Sequence, residues 1–382
     1  MKQIYLDNGA TSFPKAPGVG QAMKDYIEKV GVNVNRSSYR ATAEAALSTL
    51  NVREDLCTLF GGGIDPSYAI FTSGVTMSLN MIMKGVLRTG DHLIISGMEH
   101  NAVARPAMQL EAAGVSVSIA PCDETGVLRL TEFEKLFTPQ TRLVVIQYAS
   151  NVSGTIQPIA EIGAICRRHG ALFAVDSAQA AGHFLFNMQA LQVDAMCFTG
   201  HKGLLGPSGI GGFVMNEAMN KALTPLIAGG TGSMSASLEM PPTLPDRYEA
   251  GTPNLPGIMG LGVALRYLME VGPDALHKRE MALTNRFLDG LHGNSHIRVP
   301  GPVDAKRRVG VISVDFLRQD NAEVAFQLEE QYGILTRCGL HCAPLAHKTL
   351  GTYPEGTVRF SVGYTTTEDE VDTAIQAIHS LS

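Results

Sequence analysis

Between residues 69 and 215 the chain repeats one unit, and that repetition limits the folds open to it. A short apolar run of strand length is followed by a turn and then by a longer stretch with helical spacing. The strand-like runs lie at 69–72, 92–96, 115–120, 143–148, 172–175, 195–199 and 212–215, with helical patterns between them, as at 76–87 and 159–169. Strands alternating with helices close into a mostly parallel sheet with helices on both faces. The expectation is therefore an α/β fold: a large domain over residues 15–255 built on a mostly parallel seven-stranded sheet.

The pattern changes after a turn-rich stretch, Ala250-Gly-Thr-Pro-Asn-Leu-Pro256. A long helical pattern follows at about 258–270, then strands near 309–315 and 358–362 and helices near 321–332 and 367–380. That reads as a smaller α+β domain over 256–382, with residues 1–14 expected to pack with it. The length of 382 residues suits two or three domains at roughly 100–200 residues each.

Composition narrows the function classes. A net charge of −6 leaves no basic footprint for nucleic acid. The longest apolar runs fall far short of the ~20 residues that span a bilayer, and the opening MKQIYLDNGATSFPK lacks the apolar core of a signal peptide. A cytoplasmic protein is expected. The six cysteines, at 57, 122, 166, 197, 338 and 342, then suggest no disulfide framework. Cys57, Cys166 and Cys197 sit in apolar surroundings and read as small buried hydrophobes.

In open α/β sheets, ligands bind beyond the carboxyl ends of the strands. Three segments at such ends carry reactive side chains. Thr72-Ser73-Gly74-Val75-Thr76 lies between a strand and a helix, where small residues expose N–H groups and hydroxyls at a helix N-terminus and could hold a phosphate. The same turn could simply cap the helix. Val175-Asp176-Ser177-Ala178-Gln179 puts a carboxylate directly after a buried strand, either as a helix cap or as the partner of a cationic ring nitrogen. Phe198-Thr199-Gly200-His201-Lys202 ends the next strand. Its lysine is either a solvated loop residue or an amine able to form an imine, and the glycine-rich run 203–212 favours a shaped loop.

With these segments in place the chain resembles the class V aminotransferase-fold enzymes that use pyridoxal 5'-phosphate (PLP). More narrowly, it resembles the SufS-like cysteine desulfurase and selenocysteine lyase family. The resemblance runs through YLDNGATS (5–12), TSGVT (72–76), MEHNAV (98–103), ASNVSG (149–154), VDSAQ (175–179), TGHKGLLGPSGIG (199–211), YEAGTPN (248–254), RCGLHCAP (337–344) and VRFSVGY (358–364). It implies a fold type I PLP enzyme with the cofactor held as a Schiff base on Lys202. It assigns Asp176 to the pyridine nitrogen, Gln179 to the phenolic oxygen and His100 to the ring face. Thr76, Thr199, His201 and the Val75 N–H would hold the phosphate. Asn151 would contact the cofactor or the substrate carboxylate, and Arg337 and Arg359 would bind substrate. Thr252 would reach the cofactor of the other subunit, which implies a homodimer.

The same resemblance makes Cys342 the nucleophile that takes sulfur from L-cysteine, leaving L-alanine and a persulfide for an acceptor or scaffold protein. Lys202 would move protons, and His100 is a candidate acid or base. Arg337 and His341 could lower the thiol pKa if the loop brings them close. L-Selenocysteine, with a selenocysteine lyase activity, is an alternative substrate. A cysteine or cystine C–S lyase releasing pyruvate is another reading. Zinc is disfavoured, because Cys338 and Cys342 lack a second, distant ligand pair. The chain departs from the family pattern at Cys338, where Thr or Ser is expected, at GYTTTEDEV near the C-terminus, and at Asn35, which stands before Arg36 in place of a histidine. Cys338 could be an accidental thiol, or could form a disulfide or relay a persulfide with Cys342.

Overall fold

A computed structural model describes residues 3–34 and 39–382. Asn35 and Arg36 lie outside the described residues. Strand β1 (Ile4–Tyr5) opens the chain. The alternating region then supplies β2 (Ala69–Thr72), β3 (His92–Ser96), β4 (Ser116–Ala120), β5 (Thr141–Gln147), β6 (Leu172–Asp176), β7 (Ala195–Thr199) and β8 (Gly211–Met215). These seven form one sheet in the order β2-β8-β7-β6-β5-β3-β4. The ladders β7–β6–β5–β3–β4 are parallel, while β8 runs antiparallel to both β2 and β7.

The sheet is buried on both faces, and its strands read accordingly. Every residue of β3, β7 and β8 is buried, and two apolar cores lie on opposite sides of it. One gathers Ile94, Val144, Ile146, Phe173, Val175 and Phe198; the other gathers Leu93, Ile95, Val145, Ala174, Cys197 and Phe213. Those alternate positions along the strands are the period-2 signature of a sandwiched sheet. The helix Leu255–Val271 lays Leu255, Ile258, Leu261, Ala264, Leu265 and Leu268 into the first of these cores.

The remaining strands are short: β9 (Ile297–Arg298), β10 (Val311–Phe316), β11 (Ile334–Leu335), β12 (Arg337–Gly339) and β13 (Thr357–Ser361). Four of them form an antiparallel sheet, β12-β13-β10-β9, whose core includes Phe287, Val314, Leu328, Val358, Phe360 and Ile378. Strand β1 pairs in parallel with β11, so Ile4 and Leu6 join this second core. The helix Pro273–Leu291 links the two regions, with Leu276 in the large core and Leu283, Phe287 and Leu291 in the small one. Among the described residues, no helix is long and apolar enough to cross a membrane.

Candidate active site

The carboxyl ends of β2, β3, β5, β6 and β7 lie on the side of the small antiparallel sheet, and most of the expected site residues stand there. Asp176 closes β6 and is 5% exposed. Its Oδ1 accepts the Ala178 N–H at 2.9 Å, while burial pushes its pKa up against the opposing pull of that hydrogen bond and of Lys202. A buried carboxylate so poorly supplied with donors is suited to a cationic partner. Lys202 follows β7 by three residues. Burial draws its ammonium down to about 8; Arg359 and Arg337 push the same way, and Asp176 and Asp7 oppose them.

The Lys202 loop is fixed from the N-terminal segment. The His201 carbonyl accepts from the Ser12 N–H at 2.9 Å, from Thr11 Oγ1 at 3.0 Å and from Lys15 Nζ at 2.8 Å. The His201 ring is held neutral: burial, Lys202 and Lys15 lower it to about 4, and its Nδ1 is buried with no hydrogen-bond partner. Thr199, 4% exposed, ends β7.

Opposite it, Gly74 caps the helix Val75–Val86, which has no side-chain cap. Gly74 has φ 152°, and a Cβ on Gly211 would stand 2.6 Å from the Gly74 Cα. Only glycine permits that close approach of β8 to the helix entrance. Val75 is half-buried and Thr76 exposed at the same N-terminus. Uncapped N–H groups and a neutral imidazole beside a threonine make a cradle for a phosphate.

His100 stands on the turn after β3, where its Nδ1 accepts the Ala102 N–H at 3.0 Å. That bond leaves the ring proton on Nε2. Burial, Lys202, Arg337, Arg359 and Arg105 lower its pKa to about 4, so the ring is neutral at ordinary pH. Behind it lies Glu99, fully buried, with Oε1 accepting Ser96 Oγ–H at 2.6 Å and the Gln147 N–H at 3.0 Å. Burial raises this carboxyl to about 8. Gln179 Nε2 donates to the Gly9 carbonyl at 2.9 Å, tying the β6 turn to the N-terminal segment.

The small sheet supplies the other wall. Arg337 on β12 lies directly across the ladder from Arg359 on β13. Arg359 is 1% exposed; its Nη2 donates to Asp7 Oδ1 at 2.7 Å and its Nη1 to the Asn151 carbonyl at 3.1 Å. Burial lowers its pKa and Asp7 opposes the shift. Asn151 Nδ2 donates to the His341 carbonyl at 2.7 Å, leaving its Oδ1 buried and unpartnered.

Cys342 sits between β12 and the helix Pro344–Thr349, on a connection of four residues. It is exposed, and its Sγ stands 3.6 Å from Arg337 Nη2. The Cys342 carbonyl accepts the Asn101 N–H at 2.8 Å, which docks the loop beside His100. His341 and Cys342 both take positive φ, 47° and 59°. Such left-handed conformations cost non-glycine residues about 1–3 kcal/mol each and persist where the surroundings impose them.

The loop brings Arg337 to the thiol but turns His341 away. The His341 ring is 3% exposed, its Nε2 meets Thr357 Oγ1 at 3.1 Å, and burial holds it neutral, so it supplies no charge to Cys342. Cys338 also points away: alternation on β12 places it with the small-domain core, half-buried. Thr252 lies apart, exposed on the rim of a groove of about 890 Å³ that also touches Ser73 and Tyr248. Its turn is anchored by Glu249, whose carboxylate takes both guanidinium nitrogens of buried Arg53 at 2.7 Å and the Phe71 N–H at 2.7 Å. Among the described residues, no cluster of His, Cys, Asp and Glu is arranged to hold a metal ion.

Asp7, Lys15, Glu99 and Asn101 had no role in the reading from sequence. Asp7, Glu99 and Asn101 fall inside segments singled out there, but nothing local marks residue 7 as the neighbour of residue 359.

A mostly parallel sheet with a lysine and a carboxylate at adjacent strand ends, faced by an arginine-bearing small sheet, agrees with what the chain matches. The model of the class V aminotransferase family covers residues 4–373, and the chain belongs to that family. Membership implies PLP as cofactor.

The relatives are more specific. The chain is 35% identical over 391 residues to a cysteine desulfurase of Escherichia coli, covering 99% of this chain and 93% of that protein. It is 32% identical over 372 residues to a probable cysteine desulfurase of Methanothermobacter thermautotrophicus, covering 96% and 92%. The apo structure of a cysteine desulfurase from Thermococcus onnurineus NA1 superposes with a TM-score of 0.92 at 31% identity, over 99% of this chain and 94% of that one. The E. coli cysteine desulfurase CsdA, in its S-sulfonic acid form, gives 0.88 at 27% identity, with the same coverage.

Proposed function

We propose that the chain is a PLP-dependent cysteine desulfurase that converts L-cysteine to L-alanine and keeps the sulfur as a persulfide on Cys342. The residues present fit the cofactor. Lys202 has the lowered pKa an imine-forming amine needs, Asp176 is a buried carboxylate short of a cation, and the Gly74 helix entrance with Thr199 and His201 suits the phosphate. Bound there, PLP supplies an electron sink for a carbanion at the substrate Cα.

The protein's own groups would then divide the work. Arg359, with its Nε spare, clamps the α-carboxylate, and the Asn151 carbonyl holds that fork through Nη1. Gln179 and Asp176 fix the ring's polar atoms. Neutral His100 covers the ring face and presents Nε2–H. Lys202 moves a proton away from Cα and returns one to it after the Cβ–S bond has broken. Cys342, as thiolate, attacks the substrate sulfur; the Cβ–S bond breaks with its electron pair going to Cβ, which takes a proton and leaves as alanine. The sulfur is oxidised as the carbon is reduced, so no outside oxidant is needed.

The observation that carries this reading is the exposed Cys342 thiol, held beside Arg337 and docked through its own carbonyl to Asn101, next to His100. Its four-residue loop is pinned at His341 and Cys342, so a sulfur acceptor has to approach the thiol. Thr252 on the open groove, among the exposed apolar residues Leu50 and Ile227, supports a homodimer in which it reaches the partner's cofactor. Free cysteines fit a cytoplasmic protein.

The test is incubation with L-cysteine and a reductant, with Cys342→Ala as control. Alanine and sulfide in equal amounts are expected from the wild type. Pyruvate and ammonia in place of alanine would replace this reading with a C–S lyase. Turnover of L-selenocysteine that survives Cys342→Ala would show a selenocysteine lyase activity alongside.

A further inference from the structure

The N-terminal segment reaches into the substrate side of the site, and no role in the reaction proposed above uses it. We propose that Asp7 is a positioning residue for the Arg359 guanidinium, and that it sets the affinity of the site for the α-carboxylate of an amino acid. The inference rests on the desulfurase reading for the identity of the substrate, but not for the role of the carboxylate fork.

Arginine offers five N–H donors in a fixed plane. In Arg359, Nη1 is committed to the Asn151 carbonyl and Nη2 to Asp7 Oδ1, while Nε is buried and has no partner. A bidentate carboxylate needs two parallel donors. The edge formed by Nε and the second Nη2 hydrogen is the one the protein leaves open, and Asp7 and Asn151 together fix which edge that is. A buried donor left unpaired is costly, so a ligand that satisfies Nε recovers that cost on binding.

The position of Asp7 is built rather than accidental. Asp7 bridges to Ser361, two residues beyond Arg359 on the same strand, and the Gly9 N–H donates to Ser361 Oγ at 2.7 Å. Gly9 itself packs on the guanidinium: a Cβ there would lie 3.3 Å from Arg359 Cζ. Tyr5 Oη holds the turn by donating to the Thr11 carbonyl at 2.8 Å.

Charge gives a second reason. Arg337 and Arg359 face each other across β12 and β13, a like-charge pairing that destabilises a ladder. Lys202 adds a third positive group within electrostatic reach of both. Within this group Asp7 is ion-paired with Arg359, its Oδ1 2.7 Å from Nη2. It keeps Arg359 extended and oriented until the substrate carboxylate arrives.

The experiment uses the holoenzyme of Asp7→Ala and Asp7→Asn. If Asp7 acts by orienting the fork, Asp7→Ala raises KM for L-cysteine about tenfold or more while kcat stays within about threefold, the pattern of lost uniform binding. Asp7→Asn keeps an acceptor at the same place and should fall between it and the wild type. In an Arg359→Ala background, Asp7→Ala should add no further change in KM. L-Alanine titrated against the cofactor absorbance should show the same loss of affinity, with no turnover required.

Unchanged KM and unchanged alanine affinity would overturn the proposal, as would a fall in kcat at constant KM. So would an equally large Asp7→Ala effect without Arg359. If Asp7→Ala fails to fold, Asp7→Asn decides by the same readings. If the wild type gives no alanine from L-cysteine, the functional reading fails, and the L-alanine titration still decides the role of Asp7.

Discussion

The two walls of the cleft are built on different principles. On the large-sheet side, His100 follows β3, Asp176 closes β6, and Thr199 and Lys202 stand at the end of β7, so a single sheet fixes their spacing. On the small-sheet side, Arg337 opens β12 and Arg359 is the middle residue of the facing strand β13, and Cys342 comes from a loop too short to position itself. That loop is held by Asn101 and Asn151, both from the large-sheet side. The cofactor wall is therefore set chiefly by one sheet, with its Lys202 loop braced by the N-terminal segment, whereas the substrate wall depends on contacts between the two regions. Cofactor capture and sulfur chemistry should be separable.

The sharpest break between the walls is a pair of substitutions. Lys202→Ala should abolish turnover and also remove the absorbance band near ~420 nm that PLP gives when bound as an imine. Cys342→Ala should keep that band and still lose L-cysteine turnover by about 10³-fold or more, as for other removed nucleophiles. Absorbance spectra and alanine release from the same preparations check both. If Cys342→Ala also lost the band, the walls would not be independent.

A smaller effect tests the cofactor wall alone. The reactive form of Lys202 is the neutral amine, and its pKa is lowered from 10.5 to about 8, chiefly by burial. Lowering the pKa of a base enlarges its neutral fraction at every pH below the ordinary value. In the cofactor-free enzyme, PLP capture should therefore rise about tenfold per pH unit on the acid side and level off near pH 8, whereas an exposed lysine would keep climbing toward about 10.4. Stopped-flow absorbance after mixing cofactor-free enzyme with PLP measures it. His100 and His201, neutral down to about 4, should add no inflection between pH 6 and 8.

The same contrast explains what was legible in the sequence. Strands β2, β3 and β7 and the helices Ile159–His169 and Asn321–Tyr332 match the expected ranges residue for residue, because period and turn chemistry are local. The strand-end residues were readable for that reason. The helix Arg40–Leu59 was not, since buried Thr42, Thr49 and Arg53 interrupt its apolar stripe, and the Arg53 guanidinium is satisfied only by tertiary partners such as Glu249. Strands of two or three residues, such as β1, β11 and β12, have no period to detect. Asp7 meets Arg359 across 352 positions, and the positive φ of His341 and Cys342 is imposed by Asn151 and Asn101, so neither could be inferred from neighbours in the chain.

The smallest expected effect concerns the thiol that departs from the family pattern. Arg337 and Cys338 are adjacent on β12, so their side chains leave opposite faces of the strand. Arg337 goes to Cys342, and Cys338 goes to the core beneath the small sheet, opposite Val358. Burial pushes the Cys338 thiol up, which makes it a poorer nucleophile at neutral pH. A persulfide relay would need this side chain to leave its packing and cross the strand. Cys338→Ser should thus keep sulfur transfer within about twofold and cost about 1 kcal/mol in stability, the order expected when a hydroxyl replaces a half-buried apolar group. Persulfide transfer and thermal melts on the same variant decide the matter. A transfer rate down tenfold with an unchanged melting temperature would mean that Cys338 handles sulfur, and that the substrate wall carries two working thiols rather than one.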